Sequence, residues 1–222
     1  MPERFHADVP RPDPALAARL AEYDVTTLHE AHKAMGGWTL LGPELRCVPD
    51  GASCVGVAVT GLLVEGDVLG SLRCLATTRP GDVMVLNSVQ GTGNTGMFGE
   101  LMAVSAKARG VAGVVANGTV RDIAALRRHG VPVWHRGVNP AGMVRDRFAG
   151  VNVPIAFGGV IVNPGDLVVA DADGVLILAP ADVPEVLERA EARRAREAEM
   201  LPRLEAGGSP YDLPAASVPG GP

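Results

Sequence analysis

The centre of the chain reads Asn117-Gly118-Thr119-Val120-Arg121-Asp122. This stretch follows an apolar run over residues 111–116 and precedes a helical pattern over 123–129, which predicts a strand, a tight turn and a helix start. Arginine is a planar, permanently charged fork that matches a carboxylate, and aspartate is a hard oxygen ligand for Mg²⁺ or Mn²⁺. The pair is predicted either to hold an anion beside a cation or to be a solvated pair at a helix start, where the helix dipole favours Asp.

Strand and helix patterns alternate through the middle of the chain, and strand patterns dominate after residue 150. The predicted helices cover 15–35, 67–77, 100–109, 123–129 and 181–206, and Thr26 or Thr27 is the predicted N-cap of residues 28–35. The predicted strands cover 54–64, 83–86, 112–116, 131–135, 151–157, 160–162, 167–170 and 175–178. Together they indicate one α/β domain with a mixed sheet over residues 15–206. A Pro-rich arm, 1–14, precedes it, and an irregular Gly/Pro-rich tail, 207–222, follows it.

Composition narrows the class of protein. The chain has 222 residues, enough for one domain with a large core. Hydrophobic residues make up 47% and charged residues only 20%, so we expect part of the apolar surface to be buried against other subunits. A light-scattering mass equal to that of a monomer would contradict this. The net charge of −5 and the lack of a long basic run disfavour nucleic acid as a partner.

The cysteines and the apolar segments indicate a cytoplasmic protein. The three cysteines, at positions 47, 54 and 74, form neither a disulfide framework nor a zinc motif. The first six residues lack the apolar region of a signal peptide. The longest uncharged stretches, 51–64 and 150–165, are interrupted by Gly, Asn, Pro or other polar residues, so no membrane span is predicted.

A glycine-rich segment, Gly91-Thr92-Gly93-Asn94-Thr95-Gly96, matches the pattern G-x-G-x-x-G after a predicted strand. A dinucleotide fold would place this pattern in its first βαβ unit and an acidic residue about 20 positions further on. Here the next strand is followed by Asn117, and the segment lies deep in the chain. A dinucleotide site is therefore disfavoured.

The same glycines lead into a helix start at Gly99-Glu100-Leu101-Met102. The free backbone N–H groups of a first helical turn can hold a small carboxylate. If Arg121 lies near that turn, the two would form an anion pocket, with Asp122 and Glu100 as oxygen ligands for a divalent ion. The alternative for Glu100 is ordinary placement in a first turn, which the helix dipole favours.

Other polar motifs carry weaker signals. The segment His29-Glu30-Ala31-His32 lacks the spacing of the zinc motif H-E-x-x-H and favours a surface helix turn, although Glu30 remains an acidic candidate for the site. His135 and Arg136 end a predicted strand, and His135 is either a functional group or a packed or solvated side chain. The Glu/Arg pattern over 185–199 is typical of a solvated helix.

Three blocks of sequence resemble the RraA-like family. The blocks are Gly99-Glu100-Leu101-Met102 with Ala103, Ala106, Gly110 and Gly113-Val114-Val115; Gly118, Arg121-Asp122 and Pro132-Val133-Trp134; and Pro164 to Asp171 with Asp173-Gly174-Val175. The resemblance covers roughly residues 20–207. The family includes class II 4-hydroxy-4-methyl-2-oxoglutarate/4-carboxy-4-hydroxy-2-oxoadipate aldolases and regulators of ribonuclease E activity.

The resemblance implies a β/β/α swivelling domain, assembled as a homotrimer or homohexamer with the site between subunits. It implies that Arg121 binds the carboxylate or oxo group of a 2-oxo acid. The turn at Gly99 presents the backbone N–H groups of Leu101 and Met102 to the carboxylate. Asp122 anchors Mg²⁺ or Mn²⁺, directly or through water, with Glu100 in the outer shell of the metal.

The resemblance also implies residues from further away. An acidic residue of the C-terminal helix of a neighbouring subunit completes such sites, and Glu199 is the candidate, with Glu197 second. Glu30 resembles the acidic residue of the N-terminal helix. His135 stands where the family more often has a small residue and is a candidate to touch the substrate or a neighbour. Asn117 replaces the usual Asp, so we expect one negative charge fewer near the site.

The implied activity is metal-dependent cleavage of a 4-hydroxy-2-oxo acid to release pyruvate, with oxaloacetate decarboxylation as a side activity. One alternative is a non-catalytic regulator that binds a ribonuclease or a helicase. Another is a lyase acting on a different oxo acid. A third is a methyltransferase acting on menaquinone, for which the sequence carries no persuasive cofactor motif.

Overall fold

The computed structural model describes residues 4–91 and 94–209. The helices in these ranges are α1 (Pro14–Leu20), α2 (Val25–Lys33), α3 (Leu69–Thr77), α4 (Glu100–Ala108), α5 (Ile123–His129) and α6 (Val183–Glu205). The strands are β1 (Arg4–Phe5), β2 (Arg46–Val48), β3 (Cys54–Leu63), β4 (Asp82–Ser88), β5 (Gly113–Val120), β6 (Val133–Val138), β7 (Gly150–Val151), β8 (Ile155–Phe157), β9 (Val160–Val162), β10 (Leu167–Ala170) and β11 (Val175–Leu178).

The strands form one large mixed sheet and a small hairpin. The order across the main sheet is β1-β7-β3-β4-β5-β6-β2, and β10 pairs with both β3 and β11. Strands β3 to β6 run parallel, whereas β10, β11 and β2 are antiparallel to their neighbours. The separate hairpin is formed by β8 and β9. The mixed α/β fold predicted from the sequence is therefore confirmed.

The core lies on both faces of the sheet because alternate residues of each strand point to opposite sides. On one face, Val114 packs with residues of α3, α4 and α5. On the other, Val115 and Trp134 pack with the β8–β9 hairpin. A third cluster joins α1, α2 and α6 to β10 and β11, with Leu28 and Leu187 fully buried in it.

The helical region predicted over residues 15–35 contains two helices, α1 and α2, but the predicted N-cap of the second at Thr26 or Thr27 is wrong. Helix α2 begins at Val25, and its N-cap is Asp24. The Asp24 carboxylate accepts a hydrogen bond from the Thr27 backbone N–H at 2.6 Å. A short acidic side chain just before the first turn satisfies an N–H group that the helix leaves free, which explains why the helix starts here.

The tight turn predicted at 117–122 is also wrong. Strand β5 continues through Val120, with a bulge between Ala116 and Thr119, and Thr119 pairs again with Gly137 of β6. A bulge bends and re-aims a strand without ending its pairing. Strand β6 likewise runs to Val138, so His135 lies within it and not at its end.

The ends of the chain differ in what they contact. Within the predicted arm, β1 pairs with β7 of the main sheet. Helix α6 is buried only near its start, at residues such as Val186 and Ala190, and most of it from Glu191 onward is exposed.

Residues 92 and 93 of the glycine-rich pattern and residues 210–222 of the predicted tail lie outside the described residues. No helix in the part that the structure describes is long and apolar enough to cross a membrane.

Candidate active site

A cleft of about 160 Å³ opens between α3, the start of α4 and the end of β5. Its lining is mostly apolar, with Val68, Leu72, Leu75, Met102 and Met143 among the contributors. Its polar side chains are Arg121, Arg145 and Ser105, and Gly96, Gly99 and Leu101 complete the lining. An apolar cleft with two guanidinium groups suits an organic anion.

Arg121 is held over the glycine-rich segment. Its backbone N–H donates to the Phe98 carbonyl at 3.0 Å. A Cβ atom at Gly96 would lie 3.0 Å from the Arg121 Cδ atom, and one at Gly99 would lie 3.0 Å from the Arg121 Cγ atom. A side chain at either glycine would therefore crowd Arg121, a constraint that the sequence pattern alone does not reveal.

Asp122 joins the starts of two helices. It adopts a left-handed conformation, with φ at 59°, at the N-cap of α5. Its Oδ2 atom accepts a hydrogen bond from the Glu100 backbone N–H at 3.0 Å and lies 3.5 Å from Arg121 Nε. The Asp122 carboxylate thus lies between the start of α4, which donates a hydrogen bond to it, and the Arg121 guanidinium, while its own backbone begins α5.

The predicted site residues on α4 are brought to this point in different ways. Leu101 and Met102 lie in the first turn, whose N–H groups have no acceptor within the helix. Glu100 reaches Asp122 through its backbone. Its carboxylate instead pairs with Arg128 at 3.0 Å and with His129 at 3.2 Å, both on α5.

Glu30 and Glu199 do not line the cleft of their own chain. Glu30 lies on α2, which packs against α6, and its carboxylate is 3.5 Å from Lys33. Glu199 lies in the exposed part of α6, where Glu197 pairs with Arg193 at 2.7 Å. Either glutamate could act at the cleft only if it came from a second copy of the chain.

His135 is buried within β6 and is not among the residues that line the cleft. Neither of its ring nitrogens has a hydrogen-bond partner among the described residues. Burial lowers the pKa of His135 from its ordinary value of 6.5, because the charged imidazolium is disfavoured in an apolar setting. The structure therefore does not bring His135 to the predicted substrate.

We expect His135→Leu to leave catalysis unchanged and to reduce the sensitivity of the fold to acid. A histidine whose pKa is lowered by folding loses stabilising free energy as the pH falls below about 6.5, since the unfolded chain then binds the proton more readily. Urea unfolding at pH 7.5 and 5.5 measures this slope, with His6→Gln at an exposed position as the control. Burial also lowers the pKa of His32, so the free energy of unfolding of His135→Leu should still fall with decreasing pH, but less steeply than that of the wild type. Equal slopes in the wild type and the variant would contradict the prediction.

Asn117 corrects an expectation from the sequence. Its side chain is buried on the sheet face opposite the cleft, where it donates to Asn87 Oδ1 at 2.7 Å and accepts from Arg136 Nε. Arg136 also pairs with Glu44. An Asp at position 117 would therefore face this buried network rather than the cleft. The expected loss of a negative charge at the site is wrong, because residue 117 does not contribute a charge to the cleft.

Two groupings of polar residues were not predicted from the sequence, although Asn117 and Arg136 were noted there singly. One is the network of Asn87, Asn117, Arg136 and Glu44. The other is the loop over 139–147, which brings Arg145 to the cleft. The sequence signal for this loop was the charged cluster Arg145-Asp146-Arg147, which is equally typical of a solvated loop without a function.

We expect Gly99→Ala to lower kcat/KM by about 10²-fold, since misplacing catalytic groups by about 1 Å can cost that much. The added methyl group would lie 2.7 Å from Asp122 Oδ2, so the carboxylate or helix α4 must move. Gly174→Ala is the matched control, because its nearest neighbour would be Leu40 at an ordinary 3.6 Å. A steady-state assay in which both variants match the wild type would contradict the crowding argument.

The chain belongs to the RraA-like family. The family model, described as aldolase/RraA, matches residues 25–177. A relative from Halalkalibacterium halodurans, provisionally named 4-hydroxy-4-methyl-2-oxoglutarate aldolase, is 34% identical over 162 residues, which cover 73% of this chain and 77% of that relative.

Solved structures agree with this assignment. Streptomyces coelicolor RraAS2, described as an unusual member of the RNase ES inhibitor RraA family, is 28% identical with a TM-score of 0.75. That alignment covers 88% of this chain and all of the other. The RNA-processing inhibitor RraA from Thermus thermophilis is also 28% identical, with a TM-score of 0.63 and coverage of 70% and 92%. The family thus includes proteins named as aldolases and proteins named as inhibitors.

Proposed function

We propose that this chain is a divalent-metal-dependent lyase that cleaves a 4-hydroxy-2-oxo acid to release pyruvate. The observation that carries the proposal is the adjacency of the Arg121 guanidinium and the Asp122 carboxylate at the edge of the cleft, 3.5 Å apart. A fixed cation for the substrate beside a carboxylate for a metal is what stabilisation of an enolate requires. The relative named as an aldolase supports the same chemistry.

The donor set fits Mg²⁺ or Mn²⁺. Asp122 offers hard carboxylate oxygens, one of which already accepts the Glu100 N–H. Within residues 4–91 and 94–209, no group of three or more His, Cys, Asp and Glu side chains could enclose a metal. Mg²⁺ typically keeps several waters and binds through one or two carboxylates together with the substrate, so one aspartate is an adequate protein ligand. Glu100 would lie in the outer shell.

Each residue then has a definite task. Arg121 and the N–H groups of Leu101 and Met102 bind the carboxylate and the 2-oxo oxygen of the substrate. The metal, when bound at Asp122, supplies a Lewis acid near the developing enolate. As the bond between C3 and C4 breaks, Arg121 stabilises the charge that forms on the 2-oxo oxygen. A water oriented by an acidic side chain accepts the proton of the 4-hydroxyl group, so that C4 leaves as a carbonyl carbon. Return of a proton to C3 of the enolate then gives pyruvate.

The same arrangement would decarboxylate oxaloacetate, because loss of CO₂ from its C3 also leaves a pyruvate enolate. Arg145 supports a substrate with a second carboxylate, since it is the other cation of the cleft and forms no ion pair among the described residues. We therefore propose a dicarboxylic or tricarboxylic oxo acid as the natural substrate.

We also propose a homotrimer or homohexamer with the site between subunits. Large apolar side chains near the cleft are exposed in the single chain: Leu101 at 75%, Val144 at 63% and Val104 at 46%. Exposed apolar groups that lie close together are typical of surfaces that bind a partner. A neighbouring copy could supply Glu30 or Glu199 to the cleft.

A coupled pyruvate assay over a panel of oxo acids, with and without Mg²⁺, tests the proposed reaction. We expect pyruvate from a 4-hydroxy-2-oxo acid and from oxaloacetate only when the metal is present. If no oxo acid yields pyruvate, the lyase proposal fails.

The second candidate function is a regulator that binds a ribonuclease or a helicase. The two solved structures named as RraA inhibitors favour it. A pull-down against purified ribonuclease E-type enzyme distinguishes the candidates, since a stable complex without pyruvate release supports the regulator.

A further inference from the structure

We propose that Asp67 is a positioning residue that fixes one wall of the cleft by fastening the loop over 139–147 to the start of α3. Asp67 is only 2% exposed. Its Oδ1 atom accepts a hydrogen bond from the Leu69 N–H at 2.9 Å. Its Oδ2 atom accepts from the N–H groups of Asp146 at 2.9 Å and Arg147 at 2.8 Å. The kinetic consequence rests on the proposed function, but the fastening itself does not.

The backbone on both sides of Asp67 is joined to the same loop. The Val144 N–H donates to the Gly66 carbonyl at 2.9 Å, and the Val68 N–H donates to the Val144 carbonyl at 3.0 Å. We call these bonds, with those of the Asp67 carboxylate, the clamp. Residues 66–69 and 144–147 are thus joined by several hydrogen bonds, and these two segments can shift relative to each other only if several of the bonds break together.

The clamp lies directly beside the cleft. Val68, next to Asp67 in sequence, lines the cleft from the α3 side. Met143 and Arg145 flank the clamped Val144 and line the cleft from the loop side. The clamp therefore sets the distance between the α3 side and the loop side of the cleft. It also fixes the position of Arg145, which would bind one end of a substrate whose other end is bound by Arg121.

An ionised carboxylate is the side chain that suits this place. Burial by itself would raise the pKa of Asp67, but the N–H donors of Leu69, Arg147 and Asp146, together with the Arg147 charge, lower it below the ordinary value of 3.8. Asparagine has nearly the same shape. However, its NH₂ group cannot accept a hydrogen bond, so one side of the clamp would be lost.

The test compares Asp67→Asn with Asp146→Asn, whose side chain is exposed and outside the clamp. Three measurements are made on the full-length protein: hydrogen exchange of individual amides, calorimetric binding of oxalate with Mg²⁺, and KM and kcat for oxaloacetate. The oxygen of the new amide can serve only one side of the clamp, so in Asp67→Asn we expect exchange to rise about tenfold at the amides that face the NH₂ group, which are either Leu69 or both Asp146 and Arg147. We expect the Kd for oxalate with Mg²⁺ and the KM for oxaloacetate each to rise by about the same factor while kcat stays within about threefold, because ground-state and transition-state binding are weakened equally.

Other outcomes would overturn the proposal. Unchanged exchange at all three amides, Leu69, Asp146 and Arg147, would show that Asp67 does not fasten the loop. Faster exchange over the whole chain would show a merely structural role. A fall in kcat at constant KM would assign Asp67 to the chemistry instead. If Asp67→Asn does not fold, Asp67→Glu keeps the charge one methylene further out, and the same local pattern is expected at smaller size. If the wild type has no lyase activity, the exchange and oxalate measurements still test the clamp.

Discussion

Asp122→Asn is expected to lower kcat/KM for pyruvate release by about 10²–10³-fold, the range found when one electrostatic contributor to a transition state is removed. Asn keeps the backbone, because it tolerates the left-handed φ of 59° better than most residues. Its amide oxygen can still accept the Glu100 N–H that Asp122 accepts at 3.0 Å. The negative charge proposed to hold the metal is the main property lost.

The choice of Asn is what makes this test specific. Asp122→Ala would also remove the bond to the start of α4, at a cost of about 1 kcal/mol. It would further place an ordinary residue in the left-handed region, which costs roughly 1–2 kcal/mol. A drop in activity of the alanine variant could therefore reflect a displaced helix, whereas the Tm of the asparagine variant should stay close to that of the wild type.

The matched control is Glu100→Gln, which removes a neighbouring carboxylate that pairs with Arg128 and His129. We expect it to change kcat/KM far less than Asp122→Asn does. Wild-type protein in EDTA should match Asp122→Asn, and Mg²⁺ should restore only the wild type. Full activity of the wild type in EDTA would rule out the metal mechanism.

The second large effect is expected for Arg121→Ala, which should lower kcat/KM by about 10²–10³-fold without unfolding the protein. The Arg121 side chain is 41% exposed, and its backbone bond to Phe98 does not depend on the side chain. The variant should therefore keep its thermal transition while losing the group proposed to bind the oxo acid. Arg121→Lys should restore little, because an ammonium group cannot reproduce the planar fork of a guanidinium.

Arg128→Ala is the control for charge. It removes an arginine from α5 that is 64% exposed and that pairs with Glu100 rather than with the cleft. The two variants change the net charge equally, so a difference between them reports the location of the guanidinium. If Arg121→Ala has a normal kcat/KM for oxaloacetate, the role assigned to Arg121 is wrong.

Local sequence patterns predict most of the helices and strands and the position of the Arg121-Asp122 motif. Strand β3 follows an almost continuous apolar run, and α5 follows a short helical pattern, because both depend on residues close together in the chain. The same local signals place Arg121 and Asp122 at the start of one helix, α5, and Gly99 just before the start of another helix, α4. Mixed α/β architecture and family membership followed from the order and spacing of these blocks.

Contacts between distant segments set how the elements meet. Pairing with β6 carries β5 past Ala116, and that extension directs Asn117 to the face away from the cleft. Contact with Arg121 explains Gly96 and Gly99 as steric requirements. These outcomes depend on partners far apart in the sequence, which local periodicity does not encode.

The same reason accounts for the buried polar groups. Asp67 acquires its meaning only when residues 146 and 147, about 80 positions later, bring their N–H groups to its carboxylate. His135 is buried, and its pKa is lowered, only because β6 pairs with β2 and β5 in the interior of the folded sheet. Local sequence indicates which residues begin and build most of the elements, whereas burial and the hydrogen-bond partners that set their chemistry arise when distant segments pack together.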